Sequence, residues 1–128
     1  MTKKGQQIKD IAIGDAKRIQ RVYTTLPTGI TITKAWMTAK KSESLDDDDA
    51  LFQKEITTGL TADGQITDPE TTDGALGMFF ELLPADSTDA KPDIEYIYDI
   101  QVLTSDGKPH TMEKGTIAFI KQVTIKAS

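Results

Sequence analysis

The sequence contains no cysteine. A disulfide framework is therefore excluded, and so is a zinc site built on thiolates. The absence does not fix the redox compartment, because reducing and oxidising settings both tolerate it. Histidine occurs once, at His110, so nucleophilic catalysis is short of its usual base. His110 sits in a polar connection, Asp106-Gly-Lys-Pro-His-Thr, and no Gly-x-Ser-x-Gly motif occurs. It reads as a surface residue whose pKa allows mild pH sensing. No stretch approaches the roughly 18 apolar residues of a membrane-spanning helix. No apolar run follows the opening Met-Thr-Lys-Lys-Gly, so nothing there reads as a signal peptide. These absences predict a soluble chain made in a cytoplasm, without a signal peptide and without a membrane partner. Such a chain can still leave a cell as part of a particle.

Helical periodicity is also missing: no window of helical length carries an i, i+3, i+4, i+7 apolar stripe. A phosphate-cradling loop is missing too, since Gly74-Ala-Leu-Gly77 lacks the lysine and helix that a P-loop requires. What remains is a series of short segments of period two, separated by turn residues. Ile8–Ile13, Ala16–Thr25, Ile32–Lys41, Leu51–Thr57 and Ala75–Leu83 read as strands, with a short Gln65-Ile66-Thr67 between the Asp-Gly dipeptides at 63–64 and 73–74. Pro84 ends the fifth of these, and Pro84–Pro92 has room for one helical turn. Ile94–Leu103 is the clearest strand, with Ile94, Tyr96, Tyr98, Ile100 and Val102 on one face. A long connection is expected from Asp106 to Gly115, followed by a last strand over Thr116–Lys126. Trp36, Tyr96 and Tyr98 are each expected to pack in the core, the usual place for sandwich aromatics. The 128 residues suit one domain. About seven or eight strands at this spacing predict an all-β antiparallel sandwich or small barrel.

Charge is unevenly spread. Residues 1–21 carry six basic side chains against two acids, a balance of +4, whereas residues 42–95 carry fifteen acids against two lysines, a balance of −13. Complementary potentials of this kind steer how copies meet each other or a partner. Lys17, Arg18 and Arg21 lie near Tyr23, a pattern that can serve stacking on bases. A pI near 4.8 argues against a polyanionic partner, so nucleic acid is not expected. The run Asp46-Asp47-Asp48-Asp49 is the one dense carboxylate group. Oxygen clusters can hold calcium, but the run lacks the spacing of an EF-hand, and neighbouring aspartates repel one another. No cofactor and no catalytic residue is expected.

Two stretches resemble a known family. "KDIAIGDAKRIQRVY" followed by "ITKAWMTAKK" is similar to the opening of a family of bacteriophage virion domains, with Ala35, Thr38 and Lys40 on its "A-x-x-T-x-K" strand. "ELLPADSTDAKPDIEYIYDIQVLTSDGKPHTMEKGTIAFIKQVT" resembles the family's later strands, its Asp-Gly turn and its Gly-Thr-Ile return strand. The family includes the N-terminal region of phage baseplate upper proteins and related head and tail accessory proteins. Residues 42–72 depart from its pattern and read as an acidic insertion.

The resemblance implies an immunoglobulin-like sandwich over residues 8–128, preceded by a flexible basic arm over residues 1–7. It implies a non-enzymatic virion protein: a multi-copy capsid decoration or cement protein, or else a tail, neck or baseplate adaptor. Its partners would be other virion proteins, such as the major capsid protein or tail and neck proteins, and further copies of itself. Lys3, Lys4 and Lys9, with Asp46, Asp47, Asp48 and Asp49, form the expected interface. A different class also fits the fold, a carbohydrate- or receptor-binding module, because a sandwich does not fix function.

Overall fold

The computed structural model describes residues 3–23, 31–42, 50–68, 76–92 and 94–121. They form the strands β1 (Lys3–Ala12), β2 (Lys17–Tyr23), β3 (Ile32–Lys40), β4 (Phe52–Ile56), β5 (Gly64–Asp68), β6 (Leu76–Leu82), β7 (Glu95–Thr104) and β8 (Pro109–Ile120), with one short 3₁₀ turn at Pro84–Ser87. Alternation explains most of them. In β3, Ala35, Met37 and Ala39 are buried while Lys34, Trp36 and Lys40 are not. In β7, Tyr96, Tyr98, Ile100, Val102 and Thr104 all face inward.

Two sheets result. One has the order β1-β8-β7-β3-β4 and the other β2-β6-β5. In chain order this sets the third, fourth, seventh and eighth strands against the second, fifth and sixth, which is the immunoglobulin-like arrangement. A corner residue agrees with it. Tyr96 lies at the start of β7, and its hydroxyl accepts a hydrogen bond from the Lys91 backbone N–H at 2.9 Å. The position two residues later holds the second inter-sheet cysteine in antibody domains; here it holds Tyr98. One contiguous core joins both sheets, with Ile19, Tyr23, Ile66, Leu76, Met78 and Phe80 on one side and Ile32, Met37, Tyr98, Ile100, Ile117 and Phe119 on the other. Each fully buried large apolar side chain contributes about 1.5–3 kcal/mol.

Four expectations need correction. Residues 3–7 are not a free arm: they belong to β1, whose Lys3, Gln6 and Gln7 pair with Glu113, Gly115 and Thr116. Their polar side chains hid a strand that is specified by main-chain pairing to β8. That pairing is parallel, so the sheet is mixed, while all other pairings are antiparallel. A parallel pair needs no hairpin, and β1 and β8 come from opposite ends of the described chain. Third, the Asp106–Gly115 connection is mostly strand. The β7–β8 turn closes at once, with the Thr104 N–H donating to Lys108 O at 3.0 Å and Gly107 at φ +83°, so β8 starts at Pro109. Residues 42–72 also supply β4 and β5, one edge strand for each sheet, so much of the expected insertion is part of the sandwich.

Candidate functional site

Period two has one break in β8, and a buried carboxylate stands beside it. Ile100 pairs with Glu113 but Gln101 pairs with Thr111, so Met112 is an extra residue. This bulge lets consecutive residues Met112 and Glu113 both turn inward. Glu113 is fully buried and accepts from both sheets. From β2, Arg21 donates through Nε at 2.8 Å and Nη2 at 3.1 Å, and the Tyr23 hydroxyl donates at 2.9 Å. From β7, the Tyr98 hydroxyl donates to Oε2. Burial opposes ionisation of Glu113, but the hydrogen bonds from Arg21 and Tyr98, the guanidinium charge and the Tyr23 hydroxyl outweigh it and hold the carboxyl below its ordinary value. Burial and the adjacent carboxylate push both phenols well above the usual tyrosine value. All of its lone-pair directions are used inside the protein, so this cluster ties the sheets together. A second internal pair is similar: buried Lys54 of β4 reaches Asp63 at 3.3 Å and also Asp86 of the 3₁₀ turn.

The outward face of the five-stranded sheet is different in kind. Strand alternation places Trp36, Thr38 and Lys40 of β3 there, in line with Gln53 and Glu55 of β4 and with Ile97, Asp99 and Gln101 of β7. Lys114 of β8 pairs with Asp99 and extends the row. All but Glu55 border a depression of about 710 Å³. Its polar groups are held in place by one another. Trp36 Nε1 donates to Glu55 at 2.9 Å, Gln53 Nε2 to Thr38 Oγ1 at 3.1 Å, and Gln101 Nε2 to Thr111 Oγ1 at 3.3 Å. Lys34 Nζ stands 5.9 Å from the Trp36 ring centroid. Amides, hydroxyls, both signs of charge and one indole thus share a hydrogen-bonded surface, which is the make-up of a binding face.

Trp36 was expected in the core and is instead on this face, half-buried. The apolar residues on either side of it, Ala35 and Met37, take the inward positions. Tyr96 and Tyr98 do pack inside, so Trp36 has no second exposed aromatic beside it on β7. Tyr23 is buried against Glu113 and presents no ring for stacking on bases. Lys3 and Lys4 enter β1 by their main chain, and Lys9 is exposed on the same strand. Asp46, Asp47, Asp48 and Asp49 lie outside the described residues. His110 is an exposed residue of β8 paired with Val102. Among the described residues no three histidine, aspartate or glutamate side chains come together as a metal site, and no helix is long and apolar enough to cross a membrane.

The Glu113 cluster was missed in the sequence, although part of it was legible. Arg21 lies in phase with Ile19 and Tyr23, an inward charge that demands a partner. Glu113 lies in phase with Ile117 and Phe119, but the strand was expected to start only at Thr116.

No protein-family model matches the chain, and no curated protein matches it. Among solved structures, a family 123 glycoside hydrolase from Clostridium perfringens, studied for glycolipid glycan hydrolysis, aligns at 14% identity with a TM-score of 0.48. The alignment covers 91% of this chain and 23% of that one, so the chain spans less than a quarter of the hydrolase. Murine CRIg aligns at 13% identity with a TM-score of 0.38, covering 91% of this chain and 92% of that one.

Proposed function

We propose that this chain is a non-enzymatic structural protein of a bacteriophage particle, a multi-copy capsid decoration or cement protein that binds other virion proteins. A tail, neck or baseplate adaptor is the next position in such a particle. The observation that carries the binding role is the outward face of the five-stranded sheet. Four adjacent strands contribute side chains to it, and their mutual hydrogen bonds fix them before any partner arrives. Preorganisation of this kind lowers the ordering cost of association. The resemblance of both halves of the sequence to virion domains supplies the setting. The chain's partners in this reading are the major capsid protein or tail and neck proteins, with several copies per particle.

A second reading has its own support. Trp36, Gln53, Asp99 and Gln101 border a depression of about 710 Å³, within the size range of small-ligand sites. An indole flanked by amides and a carboxylate suits a sugar, so a carbohydrate- or receptor-binding module is the alternative. Quantitative mass spectrometry of purified particles separates the two. Dozens or hundreds of copies, lost on Trp36→Ala/Gln101→Ala substitution, support the structural role. A few copies, with glycan binding by the isolated domain, support the second. Absence from purified particles overturns the virion reading.

A further inference from the structure

Among the described residues the sandwich has four edge strands, and one of them is unlike the rest. β4 and β5 have five residues each, and β5 carries a register irregularity. β1 carries two. β2 has seven residues in unbroken register with β6, no proline, and, among the described residues, no strand on its other side. Bulges, brevity and proline are the usual guards of an edge. β2 has none of them, so it offers a regular ladder of main-chain donors and acceptors.

This edge opens onto a groove. Among the described residues β1 pairs with β8 alone, and no strand lies between β1 and β2. There a cleft of about 350 Å³ runs between Gln7–Lys9 of β1 and Lys17–Arg21 of β2. Its charge has one sign. Arg18 pairs with Glu81 and covers the Phe79 ring at 4.1 Å, and Arg21 is held by Glu113. Lys9 and Lys17, both exposed, have no carboxylate within ion-pair distance among the described residues. Positive charge is thus the guard that β2 does have. A second copy pairing β2 against β2 would bring two basic strands together, with Lys17 of each exposed, and like charges across a ladder are destabilising. The same charge attracts an acidic strand.

We propose that the groove between β1 and β2 binds an extended acidic segment of a partner protein, which adds to the free edge of β2 as a fourth strand of that sheet. Main-chain hydrogen bonds to β2 supply affinity, and Lys9 and Lys17 select acidic side chains on the incoming strand. This surface lies apart from the outward face of the five-stranded sheet, and its occupancy does not depend on that face.

The probe is an eight-residue peptide of alternating glutamate and valine, titrated into the isotope-labelled full chain and followed by amide chemical shifts. Shifts concentrated in residues 17–23 and 7–9, with affinity falling as salt rises, are expected. Replacing two central valines of the peptide by proline removes main-chain donors and should weaken binding at least tenfold, whereas simple charge attraction would tolerate it. Lys9→Glu/Lys17→Glu should also weaken binding about tenfold, a difference of about 1.4 kcal/mol. Both lysines are exposed, so an unchanged amide spectrum of that variant certifies its fold. Equal binding of the proline peptide, shifts centred on Trp36 and Gln101, or no binding at millimolar peptide would each overturn the proposal. A Trp36→Ala chain that still binds the peptide but is lost from particles would sever this groove from the outward-face reading.

Discussion

Arg21 Nε donates to Glu113 Oε1 at 2.8 Å and joins the edge strand of one sheet to the eighth strand of the other. The Glu113 side chain is fully buried, and the Arg21 side chain is about three-quarters so. Such a pair is poor proof of net stability, since desolvation offsets much of its attraction, but removing one partner strands the other. Glu113→Gln keeps the shape and deletes the charge. It should destabilise the chain by about 2–4 kcal/mol near neutral pH, measured by urea unfolding.

The same carboxyl sets an acid limit. Its value in the folded chain is held below the ordinary glutamate value. Its contribution is therefore present above the unfolded value, roughly pH 4.3, and is lost as pH falls through the lower folded value. The unfolding midpoint should drop in that window, and Glu113→Gln should flatten the drop. Tyr23 and Tyr98 give the opposite limb. Their folded values are raised, so their contribution is complete below about pH 10 and is lost as pH rises beyond it. A pH series of thermal melts on both chains checks each limb.

Two glycines separate backbone conformation from crowding. Gly64 sits at φ +131°, and a Cβ there would lie 2.1 Å from Phe79 O on the paired strand. Gly107 sits at φ +83° with open space around it. Gly107→Ala should cost about 1 kcal/mol for left-handed backbone alone. Gly64→Ala must also push β5 off β6, and should cost about 3 kcal/mol or more. If the two substitutions unfold at the same urea concentration, the tight β5–β6 approach is wrong.

Removal of residues 1–7 tests the first strand. The segment looked like an arm because Lys3, Lys4, Gln6 and Gln7 are polar, yet Lys3, Gln6 and Gln7 pair with β8. Its loss would strip main-chain partners from Glu113, Gly115 and Thr116. The truncated chain should melt several degrees lower and exchange the amides of β8 faster. Unchanged melting with unchanged exchange would restore the arm.

Legibility in the sequence followed side-chain period. β3, β4 and β7 were readable because apolar and polar residues alternate along them, and β6 because its run is apolar enough for a central strand; Tyr96, Tyr98, Ile100 and Val102 proved to be inside as their phase required. The starts of β1 and β8 were not. Their partners are each other's main chain, and a hydrogen-bond ladder leaves no side-chain signature. Met112 defeated the reading for another reason: a bulge shifts the phase there, and only a paired strand reveals it. Trp36 failed because aromatic size was weighed above its phase between Ala35 and Met37.

That misplaced residue supplies the last test. Trp36 is the one tryptophan in the chain, and it stands on the outward face with its Nε1 bonded to Glu55. Tryptophan emission, excited where tyrosine does not absorb, therefore reports on this face. A partner or sugar that covers the face should shift the emission to shorter wavelength as water leaves the indole. The acidic peptide in the β1–β2 groove should leave it unchanged. Trp36→Ala removes little core packing, so it should cost no more than about 1 kcal/mol of stability, while binding at the face weakens at least tenfold if the indole is an anchor there. A partner that binds this chain with no change in emission, and binds Trp36→Ala equally well, uses another surface.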